Sequence, residues 1–241
     1  MKKTIAMMLT LSMLFSATAL AVSRDDAQAA ATALVGEGAV LKDSDRDDGY
    51  FEFEFRDDAA NYDVLVDEQS GEVVRLEMEY HAVGKADAAT LDEAAARAAV
   101  TEAVPGAVIH YALLEQSTKS CEWKVFYTDG EDAVVATLHA QMGDPETIEV
   151  FYGAAANLLT ADTAVETIST QKGTQEILEL DLELDDDTGS LRYEGEARLD
   201  GQVYEFELTA TSGSANVQAY SWGSGTDTAS DGPSIIKWKR D

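Results

Sequence analysis

Apolar and charged residues alternate one for one through several short stretches of the chain, and each such stretch predicts a strand with one buried face and one wet face. Phe51, Phe53 and Phe55 alternate with Glu52 and Glu54; Tyr62, Val64 and Val66 follow; then Val74, Leu76, Met78 and Tyr80 enclose Arg75, Glu77 and Glu79. The links are short: Arg56 to Asn61, then Asp67-Glu68-Gln69-Ser70-Gly71, which has the form of a type I turn closed by a left-handed glycine. Three successive strands of this kind predict an antiparallel meander.

The pattern recurs. Tyr50 to Tyr80 lies without a gap over Glu122 to Tyr152, 72 positions on, and over Arg192 to Trp222, 70 positions further, with Gly71, Gly143 and Gly213 in register. The second copy supplies Trp123, Val125 and Tyr127, then Val134, Ala136 and Leu138, then Ile148, Val150 and Tyr152. The third supplies Tyr193, Ala197 and Leu199, then Tyr204, Phe206 and Leu208, then Val217, Tyr220 and Trp222. Gly195 among charged neighbours marks the first of these as the weakest strand of the set.

An alanine-rich helix precedes each meander. In the first, Asp25 or Asp26 caps and Ala27, Ala30, Ala31 and Leu34 share a face. The second runs from Leu91 to about Val104, with Thr90 as cap, Glu93 at the capping-box position and Pro105-Gly106 as the stop. The third spans roughly Asp162 to Thr170 with Ala164, Val165 and Ile168 inward. A further strand is expected after each helix, at Ala39 to Lys42, Val108 to Leu114 and Ile177 to Leu184.

The fold class is therefore α+β, in tandem modules that each pack one helix on a four-stranded antiparallel sheet. The expected divisions are a signal peptide at 1–21, modules at 22–82, 88–153 and 158–222, and a flexible tail at 223–241. A module of about 65 residues is marginal alone, so at least two copies should touch.

The N-terminus begins with Lys2 and Lys3, continues through an apolar run from Ile5 to Phe15, and reaches Ala19-Leu20-Ala21, the small-x-small form of a secretory cleavage site. The run is shorter than the roughly 20 apolar residues of a bilayer span. Cys121 lies far from the cleavage site, so a lipid anchor on a cysteine there is excluded. Export without membrane insertion after cleavage is the expectation. Removing Lys2 and Lys3 takes the formal charge from −29 to −31, which disfavours nucleic acid and anionic membranes and favours cationic partners. One cysteine permits no internal disulfide, and 45% hydrophobic content is ample for a packed core.

The helix followed by Tyr62-Asp63-Val64-Leu65-Val66-Asp67-Glu68-Gln69-Ser70-Gly71-Glu72-Val73-Val74 resembles the PepSY domain, whose signature is a Tyr-x-Val-x-Val-Asp-x-x-Thr/Ser-Gly-x-Val hairpin. Tyr204 to Gly213 is similar, with Thr209 in place of the aspartate; the second copy departs further, with Val134 for the tyrosine and His139 for the aspartate. The resemblance implies a noncatalytic module like those in propeptides of secreted metallopeptidases. It implies a protein partner, a secreted protease among the candidates; no cofactor is expected from the residues.

The residues themselves offer no catalytic, cofactor-binding or metal site. His81, His110 and His139 stand apart without a zinc-binding motif, and Cys121 heads a strand beside Trp123 as a structural thiol does. Asp43-Ser44-Asp45-Arg46-Asp47-Asp48-Gly49, with Glu54 beyond it, places oxygens as a calcium loop would, but the glycine comes one residue late and a strand follows. An acidic, calcium-responsive surface protein is therefore the alternative to a protein binder. The pairs Glu52 with Glu54, Glu77 with Glu79 and Glu194 with Glu196 are read either as solvated sheet faces or as a docking surface for a basic partner. Exposed edges could also accept a partner's strand.

Overall fold

The computed structural model describes residues 21–81, 83–117, 120–173, 176–185, 188–211 and 239–240. The leader expected at 1–21, apart from Ala21, the final strand expected around Val217 to Trp222, and most of the tail lie outside these residues. In chain order the elements are α1 (Arg24–Val35), β1 (Val40–Asp47), β2 (Tyr50–Arg56), β3 (Ala60–Asp67), β4 (Val73–Tyr80), α2 (Glu93–Ala103), β5 (Val108–Gln116), β6 (Cys121–Asp129), β7 (Asp132–His139), β8 (Pro145–Phe151), α3 (Ala161–Lys172), β9 (Glu176–Asp185), β10 (Ser190–Leu199), β11 (Gln202–Thr209) and β12 (Lys239–Arg240).

The fold is α+β, but the sheets are not divided as expected. β1 to β4 and β5 to β8 form one eight-stranded antiparallel sheet, in the order β1-β2-β3-β4-β8-β7-β6-β5. The second sheet has the order β12-β11-β10-β9. The merger has a simple cause: a fourth strand standing alone leaves a row of bare N–H and C=O groups, and β4 and β8 satisfy each other's. Their register centres on Glu77 opposite Glu149, flanked by Arg75 opposite Phe151 and Glu79 opposite Thr147. Glu149 lies 72 positions after Glu77, the spacing of the copies, so equivalent strands meet about a local two-fold axis, as in a self-complementary dimer interface.

One face of the large sheet carries both α1 and α2. Phe53, Val64, Leu76, Val150, Val134 and Tyr127 are joined through neighbouring strands along that face, and Ala27 and Ala31 of α1 with Ala96 and Val100 of α2 close the core above them. Alanine suits the place because a side chain of one carbon lets a helix approach the sheet closely.

A second core lies on the opposite face, over the β5 to β8 half only. Phe126, Ala133, Val135 and Phe151 pack there with Ala161, Ala164 and Ile168 of α3 and with Leu180, Tyr193, Phe206 and Leu208 of the smaller sheet. Strand β7 is thus buried on both sides.

Local expectations are met or revised for identifiable reasons. The N-cap of α1 is Ser23, whose hydroxyl accepts from Asp26 N at 3.2 Å, in place of Asp25 or Asp26. That of α2 is Asp92, whose carboxylate accepts from Ala95 N at 2.8 Å. Thr90 and Leu91 are engaged elsewhere, both donating their N–H groups to Ala140 O. Strand β10 is not the weak one: it is central, and a Cβ at Gly195 would stand 2.0 Å from Glu179 O, so the glycine is what allows β9 to sit beside it.

Candidate protein-binding surface

A single cross-strand row on the outer face of the large sheet shows how its two halves differ. Neighbour by neighbour it reads Tyr111, Phe126, Val135, Glu149, Glu77, Asp63, Glu54 and Asp43. It is apolar over β5 to β7 and acidic from β8 to β1. The change falls between Val135 of β7 and Glu149 of β8, one strand to the covered side of the two-fold axis.

Equivalent positions make the contrast direct. At the copy spacing of 72, Phe126 corresponds to Glu54, Ala133 to Asn61, Val135 to Asp63 and Phe151 to Glu79. The first of each pair is buried under the α3 unit, whereas Glu54 and Glu79 are exposed and Asn61 and Asp63 are half-buried. A shallow groove on the open half is lined by Glu54, Asn61, Asp63, Glu77 and Glu79 together with Lys42 and Arg56.

Charge in this region is unbalanced. Arg75 Nη2 lies 2.7 Å from Glu77 and 3.7 Å from Asp63, while its Nε lies 3.0 Å from Glu149. One guanidinium therefore serves three carboxylates. Burial pushes the Glu149 carboxyl up to about 7 despite Arg75, with Glu77, Asp181 and Glu183 adding to the rise. Burial likewise raises Asp63 to about 6, against the pull of Arg75 and with the help of Glu52 and Glu77.

On the covered half, Lys124 bridges the two sheets. It contacts Asp181 of β9 and Glu115 of β5, the latter at 3.0 Å, and Glu115 Oε1 also accepts from Leu180 N at 3.0 Å. The α3 unit is fixed to the large sheet by this ion pair as well as by its apolar core.

A shared anchor sits at the entry to each helix. Val22, Leu91 and Leu159 each directly precede an N-cap residue, and each donates its N–H to a hairpin carbonyl, Glu68 O at 2.9 Å, Ala140 O at 3.0 Å and Ala210 O at 2.6 Å. Those three acceptors stand at the copy spacings of 72 and 70. Carbonyls of Leu91 and Leu159 are held in turn by Trp123 Nε1 at 3.2 Å and Tyr193 OH at 2.8 Å, two residues at equivalent positions. The hairpin turn is conserved in form while its chemistry changes. Asp67 Oδ1 accepts from Gln69 N and Ser70 N, and His139 Nδ1 accepts from Gln141 N and Met142 N. Gly71 and Gly143 both close it at φ +74°.

The acidic stretch considered as a calcium loop is not a loop. Asp43, Asp45 and Asp47 lie within β1, longer than the expected Ala39 to Lys42, where alternate residues are strung out along one face at about 7 Å intervals and are not wrapped round one ion. Only Asp48 and Gly49 form the turn, at φ +42° and +90°. Among the described residues, no group of three or more His, Cys, Asp and Glu side chains is arranged to hold a metal. His81 meets Asn61, His110 meets Thr128, and His139 is in its turn, so the three histidines are not brought together. Cys121 is buried, and burial with Glu122 nearby holds its thiol pKa up, the reverse of an activated nucleophile. Glu194 and Glu196 lie on β10, with Glu194 paired to Arg192 at 2.5 Å. Among the described residues no helix is long and apolar enough to cross a membrane.

Sequence reasoning missed the covered patch, although Val125-Phe126-Tyr127 and Ala133-Val134-Val135-Ala136 are continuous apolar runs of the kind that mark strands buried on both faces.

No curated protein matches the chain. It is similar in structure to the Bacillus megaterium YpeB C-terminal domain, at 12% identity and a TM-score of 0.33 over 80% of this chain and 94% of that one, a likeness too weak to argue from. Residues 21–77 match the family described as peptidase propeptide and YPEB domain. That span holds α1, β1 to β3 and most of β4, with the Tyr62 to Val74 hairpin inside it, and the chain accordingly carries a PepSY domain over residues 21–77.

Proposed function

We propose that this chain is a noncatalytic, exported PepSY-domain protein that binds other extracellular proteins and restrains a co-secreted protease. On this reading the PepSY-type unit occurs three times, at 22–82, 88–153 and 158–222, the second having diverged most. The anchors at Val22, Leu91 and Leu159 support the threefold reading, because one donor and one acceptor recur at the copy spacing under different side chains. Export rests on the leader pattern at residues 1–21.

The single observation that carries the binding role is the unequal use of one sheet face. Over β5 to β8 that face is covered by a folded unit of the same chain, while over β1 to β4 the equivalent positions are uncovered and form a groove. A face of this geometry supports a protein-sized cover, and the open half has room for one from another molecule. The noncatalytic reading fits a hairpin whose signature residues, Asp67 and Gly71, are engaged in holding a turn.

Adding the purified chain from Val22 onward to cell-free culture fluid of the source organism tests the role. Proteolysis of casein should slow in proportion to added protein, and the slowed protease should co-elute with the chain. Unchanged proteolysis across all secreted fractions would contradict the restraint.

A further inference from the structure

The open half of the sheet says something about the chemistry of its occupant. This step rests on the reading of that face as a binding surface and adds what it selects. On the covered half, the α3 unit meets apolar residues at Phe126, Val135 and Phe151, and it does not sit on the other half, where the same positions are Glu54, Asp63 and Glu79. Cross-strand pairing brings Glu77 and Glu54 to either side of Asp63, and Asn61 Nδ2 holds Glu79 Oε2 at 3.1 Å within the same groove. Arg75 lies at the far side of Asp63, already shared with Glu77 and Glu149. An apolar cover would take these carboxylates out of water with too few cations to offset their charge, and burying an unbalanced carboxylate costs several kcal/mol. A cover that brings guanidinium or ammonium groups would instead balance a lining in which Glu54, Asp63, Glu77 and Glu79 outnumber Lys42 and Arg56.

We propose that the groove on β2 to β4 is a docking site for a basic protein segment, whose arginine or lysine side chains pair with Glu54, Asp63 and Glu79 where the α3 unit would place apolar groups. Charge complementarity selects the partner, and the same charges keep the chain's own third unit on the other half. The acidic outer face of the smaller sheet is a built-in control, since Glu179, Glu194 and Glu196 put three carboxylates on β9 and β10 outside the lining of that groove.

The test uses the chain from Val22 onward, labelled with nitrogen-15, and a hexa-arginine peptide as the probe, at 150 mM salt so that diffuse attraction is screened beyond about 8 Å. Amide shifts should concentrate at Asn61, Asp63 and Glu77 to Glu79. The triple variant Glu54→Gln, Asp63→Asn, Glu79→Gln should weaken peptide binding at least tenfold, while Glu179→Gln, Glu194→Gln, Glu196→Gln changes it less than twofold. Equal weakening by both triples, shifts spread over both acidic faces, or no saturable binding would each overturn the groove as a basic-segment site. A protease restrained in culture fluid despite such a result would leave the proposed function standing and remove only this inference.

Discussion

Val135 and Asp63 hold the same place on two halves of one sheet face, yet the first is sealed beneath another folded unit and the second borders an open groove. The backbone does not distinguish them: both belong to the third strand of a meander, both lie next to the strand at the two-fold axis, and their hairpins close with the same hydrogen bonds. What differs is the outer-face side chains, above all Phe126, Ala133, Val135 and Phe151 against Glu54, Asn61, Asp63 and Glu79, and Lys124 against Glu52. Within this fold, then, inner-face residues maintain the unit and outer-face residues decide what it meets.

Exchanging those residues should break the contrast, and it carries the largest expected effect. Phe126→Glu with Phe151→Glu gives the covered half the residues of the open half and places two carboxylates in an apolar core, at a cost of more than about 4 kcal/mol. The α3 unit should detach, turning a single calorimetric transition into two. One unshifted transition would show that these side chains do not govern docking.

Gly195→Ala probes the covering unit by itself. The added Cβ must displace the backbone of β9, since its nearest neighbour would be Glu179 O, and a loss of about 3 kcal/mol is expected. Hydrogen exchange should quicken across β9 to β11 while β1 to β4 keep their protection.

Acidity should sharpen the difference at the axis between the halves. Glu149, raised to about 7, and Asp63, raised to about 6, keep protons in the folded chain that the unfolded chain would release. Between about pH 4 and 7 the folded state therefore binds more protons than the unfolded state, and stability falls as pH rises through that window. Melting temperature should decline from pH 5 to pH 8, and Glu149→Gln should flatten the decline by an amount on the order of 1–2 kcal/mol, allowing for partial exposure. A wild-type melting temperature that rises over the same range would contradict the charge imbalance.

The smallest effect concerns the helix anchors. Trp123→Phe installs the aromatic type found 72 positions earlier at Phe51 and removes only the bond from Nε1 to Leu91 O. A loss of about 1 kcal/mol is expected in denaturant melts, confined to the large sheet.

Much of this architecture was legible in the chain. Period-two alternation located the strands and their inner faces, because Phe53, Val64, Val125 and Val150 could only turn inward, and the turn glycines fixed the hairpins. Two matters were hidden. Pairing of β4 with β8 joins residues 72 apart through backbone groups, and Glu77 and Glu149 give no attractive side-chain signal for it. The covering of Phe126 and Val135 was written in their apolar runs, but Val64-Leu65-Val66 carries a similar run on the open half. There Leu65 is buried with Glu52 and Arg75 as its cross-strand neighbours, so a run alone does not say what lies above it. Helix caps were misplaced for a smaller reason: Thr90 and Asp92 both suit a cap, and the Ala140 carbonyl that engages Thr90 comes from fifty residues away.

The central claim is that the α3 unit sits on one half of the outer face and not the other, and the contact between Phe126 and Tyr193 reports it most directly. Their ring centroids lie 6.3 Å apart, edge to face, and join residues that only docking brings together. Nuclear Overhauser effects between the two rings should be observed in the chain from Val22 onward at neutral pH. Their absence, with both rings assigned, would contradict the account.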